Sequence, residues 1–122
     1  MKNLGTYFEI PVIDLDRAMK FYSFVFECNF SREVIHGNEM AFFPFVEGKP
    51  GITGALAKGE IYKPSLSGAL IYLDTSNLDE TLGRVTEKGC EVLFPKTPVP
   101  GIGFVAEFKD CEGNRVALFQ RS

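Results

Sequence analysis

A small set of polar and aromatic side chains falls on one face of the strands that the sequence predicts. In the first of these strands Tyr7 and Glu9 alternate with Phe8 and Ile10, so the two kinds of residue lie on opposite faces. The same alternation adds three further members to the polar face, Thr53, Tyr72 and Arg115. Two tyrosines can stack on a ligand, while Glu9 and an arginine can fix its polar groups. Glu9 would also serve as a general base if burial raised its pKa.

The same residues have plainer structural interpretations. Glu9 and Arg115 would pair with each other across the space between the polar faces of the strands, and the tyrosines would fill that space. For Glu9 alone, a satisfied acid at a strand end is favoured over a catalytic base, because one residue is weak support for a role. A carboxylate that faces inward is nevertheless uncommon unless it is paired or used. Both interpretations stay open at this stage.

Other reactive residues give weaker signals. The only histidine, His36, falls in a predicted turn, and Cys111 has no neighbouring base or cation that must lower its pKa. Cys28, Cys90 and Cys111 show no metal spacing and cannot form a closed set of disulfides, so we expect reduced, inert thiols. Glu107 lies on a predicted strand whose facing the sequence does not fix.

The elements that position these side chains form a β-α-β-β-β unit that occurs twice. Asp14 and Asn77 are the predicted caps of the two helices. The predicted strands are 7–12, 30–35, 40–46 and 52–58 in the first unit and 68–74, 91–94, 103–109 and 115–120 in the second. A segment rich in Gly, Pro and Ser, 59–67, separates the units and reads as a linker.

The two units align at an offset of about 62 residues, as Cys28 with Cys90 and Ala55 with Ala117 illustrate. We therefore predict an α+β fold of one domain over residues 1–122, with repeats of about 1–60 and 66–122. Each repeat is a small mixed sheet with one helix on its outer face. The two curved sheets form a cup, and Gly68, Ala55 and Ala117 leave space in it.

Composition excludes several kinds of partner. The chain has 122 residues and a net charge of −3, which offers no basic surface for nucleic acid. No apolar run approaches the length of a membrane span, and no signal region opens the chain, so we expect a cytoplasmic protein without membrane contact. Phe42, Phe43 and Phe45 put aromatic residues on both faces of one strand, and a homodimer would cover the second face.

Two segments carry a resemblance to a known family. Residues 12–22, VIDLDRAMKFY, and residues 110–118, DCEGNRVAL, together with the paired units resemble the vicinal oxygen chelate superfamily. This superfamily includes glyoxalase I, the extradiol dioxygenases, and the fosfomycin and bleomycin resistance proteins. The segment Phe8–Val12 is most similar to small proteins related to lactoylglutathione lyase.

The resemblance implies a divalent metal held by four side chains, but this chain lacks them. The matching positions are occupied by Tyr7, Ala55 (or Gly54, if the alignment slips by one residue), Gly68 and Ala117. Glycine and alanine have no side-chain donor, and a transition-metal site needs three or four ligands. We therefore expect no metal and no other cofactor, and we expect the metal-dependent chemistry of the superfamily to be lost.

Three functional hypotheses follow. The first is a metal-free member of the superfamily that binds a small molecule in the cup, in the manner of a sequestering resistance protein. The second is a lyase or isomerase that uses Glu9 with Tyr7 or Arg115. The third is a structural or regulatory dimer whose cup is vestigial.

Overall fold

Two four-stranded mixed sheets, one from each repeat, make up the protein, and the computed structural model describes residues 1–122. The first repeat contains β1 (Tyr7–Pro11), α1 (Leu15–Phe26), β2 (Ser31–Ile35), β3 (Asn38–Phe42) and β4 (Thr53–Lys58). The second contains β5 (Tyr72–Asp74), α2 (Leu78–Glu87), β6 (Val92–Val99), β7 (Gly103–Lys109) and β8 (Arg115–Arg121).

The sheet topology is the same in both repeats. The strand orders are β1-β4-β3-β2 and β5-β8-β7-β6. In each sheet the first strand of the repeat pairs in parallel with the last, and the remaining pairs are antiparallel. The prediction of a doubled β-α-β-β-β unit in the α+β class is confirmed.

Both helices begin where the sequence predicts. The Asp14 side chain accepts a hydrogen bond from the Arg17 amide, and the Asn77 side chain accepts one from the Glu80 amide. Helix α1 ends at Glu27, which adopts the left-handed conformation with φ 52°. Neither helix is long and apolar enough to cross a membrane.

One hydrophobic core joins the two repeats. The faces of both sheets that carry the helices contribute to it, with Ile10 and Leu56 from the first and Val116 and Leu118 from the second. The Phe21 ring of α1 lies 6.0 Å from the ring of Phe108 in β7. The opposite faces, which we call the open faces, carry the polar residues that the sequence singled out.

Strand ends are where the predictions were wrong. The predicted strand 68–74 shortens to Tyr72–Asp74, and β3 stops at Phe42 rather than residue 46. Tyr72 pairs with Ala117, so Gly68 would pair with Gly113, which lies in the β7–β8 turn and offers no strand.

The reverse happens in β6, which runs on to Val99 through two prolines. It is an edge strand with register shifts, where missing amide donors are tolerated.

Candidate functional site

A cavity of about 260 Å³ lies where the two repeats and the linker meet, and we call it the seam cavity. Glu9 comes from β1, Arg115 from the start of β8, and Lys63 and Ser65 from the linker. Its apolar wall consists of Ile10, Pro11, Ala69, Ile71 and Val116. The structure thus brings together two of the five predicted cup residues, Glu9 and Arg115.

Two phenol hydroxyls hold the Glu9 carboxylate. Tyr7 Oη donates to Glu9 Oε2 at 3.0 Å, and Tyr62 Oη donates to Glu9 Oε1 at 2.8 Å. Burial and the hydrogen bond to Glu9 raise the pKa of Tyr7 to about 12. The hydrogen bond from Tyr62 to Glu9 is the main cause that raises the pKa of Tyr62. Both hydroxyls therefore remain donors over the physiological pH range. Sequence reasoning missed Tyr62 because it lies in the aperiodic linker.

Arg115 has a different partner from the one considered above. Its Nη1 donates to Glu107 Oε1 at 2.5 Å, so the interpretation in which Arg115 pairs with Glu9 is wrong. Glu107 lies directly opposite Ala117 in the β7–β8 ladder, which places it on the open face. This settles the facing of β7 that the sequence left undetermined.

The turn between β7 and β8 forms one wall of the seam cavity. Asn114 Nδ2 donates to the Pro11 carbonyl at 2.7 Å, and Asn114 Oδ1 accepts from the Ser65 amide at 3.1 Å. The buried Asp110 carboxylate in turn accepts from the Asn114 amide and from Tyr22 Oη, the latter at 2.6 Å. These bonds give a structural role to the Asp and Asn of the motif at 110–114.

Glu112 in the same turn binds the start of α1. Its Oε1 accepts from the amides of Ile13 and Asp14 at 2.8 and 2.9 Å, and its Oε2 accepts from Arg17 Nε at 2.6 Å. Burial acts to raise the pKa of Glu112, but the bonds from Arg17 and the two amides outweigh it and lower the pKa to about 2. Burial and Glu112 also raise the pKa of Cys111, consistent with an inert thiol.

The other predicted cup residues lie outside the seam cavity. Tyr7 is 46% exposed and reaches the cavity only through Glu9. Tyr72 is 52% exposed on the open face beside Ala117. Thr53 Oγ1 donates to the Pro44 carbonyl at 3.2 Å.

The positions of the usual metal ligands need one correction. Glu9 lies opposite Ala55 in the first sheet, and Tyr72 lies opposite Ala117 in the second, so Glu9 and Tyr72 are equivalent positions. Two residues earlier in each strand, Tyr7 therefore corresponds to Leu70 rather than to Gly68. Ala55 and Ala117 are fully buried methyl groups. The four positions supply one phenol oxygen, and no group of three His, Cys, Asp or Glu side chains in the structure is arranged to hold a metal ion. These residues do not fit a metal centre of the usual kind.

Comparison with known proteins gives a family match over most of the chain. The family model for the Glyoxalase/Bleomycin resistance protein/Dioxygenase superfamily matches residues 6–118. No curated protein matches the sequence.

Several solved structures share the fold. A glyoxylase/bleomycin resistance protein/dioxygenase domain from Frankia sp. EAN1pec is 15% identical, with a TM-score of 0.76 and full coverage of both chains. The antibiotic binding protein TnmS3 from Streptomyces sp. CB03234 is 23% identical, with a TM-score of 0.70 over 100% of this chain and 99% of that one. The fosfomycin resistance protein FosX from Listeria monocytogenes is 18% identical, with a TM-score of 0.68 over 100% and 93%.

Proposed function

The chain belongs to the Glyoxalase/Bleomycin resistance protein/Dioxygenase superfamily, and from this premise we propose that it binds a small organic molecule in the seam cavity without a resident metal. The observation that carries the proposal is the convergence of Glu9 and Arg115, from different repeats, on one cavity. Glu9 is held by two tyrosines and Arg115 by Glu107, so the polar groups are oriented before a ligand arrives.

The donors of the cavity that remain unpaired favour a ligand with an anionic group. Both oxygens of Glu9 already accept bonds, and both polar atoms of the Asn114 side chain are engaged. Lys63 forms no ion pair, and only Nη1 of Arg115 is engaged. The remaining donors would bind a carboxylate or a similar anion, while Ile10, Ile71 and Val116 cover an apolar body.

Two of the fold relatives support the binding of a small molecule, and glyoxalase I enzymes share the same fold. One of the two is described as an antibiotic binding protein and the other as a fosfomycin resistance protein. We therefore favour a sequestering role of the resistance type for this chain.

The test is a thermal-shift screen with benzoate, benzyl alcohol and benzylamine as probes. Benzoate should raise the melting temperature of the wild-type protein, and Lys63→Gln should remove the shift. Lys49→Gln is the matched control, because Lys49 lies in a loop away from the seam cavity and also forms no ion pair. No stabilisation by benzoate, or a benzoate shift that Lys63→Gln leaves unchanged, would rule out the proposed anion site. A tightly held stoichiometric transition metal in purified protein would contradict the metal-free part.

A second candidate function is catalysis by Glu9 as a general base, which its place in the cavity favours. The base would have to give up a hydrogen bond from Tyr7 or Tyr62 to accept a proton. Glu9→Gln separates the two functions, since a binding protein should keep most of its affinity and an enzyme should lose turnover.

Self-association is proposed on the exposed aromatic residues. Phe43 packs into the core against Phe8 and Phe30, while Phe45 is 62% exposed. We propose that a second copy of the chain covers Phe45. Sedimentation velocity of wild type and Phe45→Ser tests this, and a monomeric wild-type protein would refute it.

A further inference from the structure

A second cavity, of about 160 Å³, lies at the opposite end of β1 from the linker, and we call it the counterpart cavity. Three phenylalanines, Phe8, Phe26 and Phe43, form much of its lining together with Leu73. Asp74 is the only charged residue in the lining.

The internal repeat relates this cavity to the seam cavity. Three of its lining residues match residues of the seam cavity at an offset of 63 positions. The matched pairs are Phe8 with Ile71, Leu73 with Ile10, and Asp74 with Pro11. The strand pairs Glu9–Ala55 and Tyr72–Ala117 give the same offset for β1 and β5. Two further lining residues, Ile52 and Thr53, correspond at an offset of 62 to Asn114 and Arg115.

The chemistry of the two cavities is opposite. Thr53 occupies the position equivalent to Arg115 of the seam cavity, and Asp74 occupies the position equivalent to Pro11. Asp74 is exposed and takes part in no ion pair. Burial raises the pKa of Cys28, so this neighbouring thiol adds no second negative charge.

The size and lining suit an aromatic ring. An enclosed apolar cavity of roughly 150 Å³ lined by Leu, Ile and Phe holds benzene, and the counterpart cavity has a similar volume but is open to solvent beside the exposed Ile52 and Asp74. The rings of Phe8 and Phe43 are tilted at 58° with centroids 5.6 Å apart, so a third ring can meet an edge of one and a face of the other. A cation near these rings is attracted electrostatically by the ring quadrupoles as well as by the Asp74 carboxylate.

We propose that the counterpart cavity is a second ligand site, which takes a ring-sized aromatic amine with its ring among the phenylalanines and its ammonium group beside Asp74. The site is independent of the seam cavity, and it stands even if the anion site proposed above fails.

The experiment is a titration of the ¹⁵N-labelled protein with benzylamine, benzyl alcohol and benzoate, followed by two-dimensional NMR. Benzylamine should shift the amides of Phe8, Phe43 and Leu73 at millimolar concentration or below, and benzoate should not. Asp74→Asn should weaken benzylamine about tenfold, to the level of benzyl alcohol. Glu87→Gln is the matched control, because it removes one exposed negative charge that forms no ion pair.

Each outcome decides the proposal. Shifts confined to the three amides, with an affinity that Asp74→Asn weakens about tenfold, support it. Shifts at Ile71 and Arg115 instead would place the amine in the seam cavity and overturn it. Absence of saturable binding, or equal weakening by Glu87→Gln, would overturn it as well.

Discussion

Replacing Glu112 with Gln tests how strongly the β7–β8 turn stabilises the start of α1. The carboxylate accepts hydrogen bonds from two backbone amides and Arg17 and a weaker one from Cys111 Sγ at 3.3 Å, and its side chain has no solvent exposure. Gln keeps the shape and one acceptor oxygen but removes the charge. A fall in pKa from 4.5 to about 2 corresponds to at most about 3 kcal/mol at 1.36 kcal/mol per pKa unit. Solvent screens the pairing because the Arg17 side chain is half exposed, so we expect a loss of about 1–2 kcal/mol at pH 7.

The pH dependence gives this prediction its sign. The pKa of Glu112 is lower in the folded than in the unfolded protein, so its contribution is complete above the unfolded value and disappears as the pH falls from 4.5 towards 2. The difference in unfolding free energy between wild type and Glu112→Gln should therefore shrink between pH 5 and pH 3. Urea unfolding at each pH measures it, with Glu87→Gln as the control. A difference that stays constant with pH, or a variant as stable as wild type at pH 7, would refute the reasoning.

Two further changes test the packing. A Cβ at Gly54 would lie 2.1 Å from the Phe8 carbonyl oxygen, so Gly54→Ala should lower the free energy of unfolding by at least about 3 kcal/mol. A Cβ at Gly83 in α2 meets open space, so Gly83→Ala should raise the free energy of unfolding by about 0.5–1 kcal/mol. Chemical denaturation of the two variants measures both, and effects of the same sign would contradict the structure. Tyr22→Phe removes the donor to Asp110 inside the core and should cost about 1–3 kcal/mol, and a variant with wild-type stability would show that this bond is not needed.

The repeat and the helices were predictable because they depend on local patterns. Leu15, Ala18, Tyr22 and Val25 recur at helical spacing, and the Asp14 cap acts on an amide three residues away. The ends of β5 could not be found this way. Their position depends on where β8 begins, and β8 is more than 40 residues away in the sequence.

The candidate site was predictable only in part. Alternation within a strand placed Glu9 and Arg115 on the open faces, but it gave no information on which side chains they would contact. One of the two partners of Glu9, Tyr62, comes from a segment without periodicity. The partner of Arg115, Glu107, was fixed only by the register of β7. Long-range contacts of single side chains leave no trace in a local pattern.

The common core has a consequence for how the chain assembles. Fragments 1–60 and 66–122 would each leave one side of this core in water, because Phe21 packs on Phe108 and Glu112 binds the first turn of α1. We expect neither fragment to acquire structure alone and the mixture to reconstitute the protein by complementation. We therefore expect the two repeats to fold and unfold together as one cooperative unit, although the sequence still shows two copies.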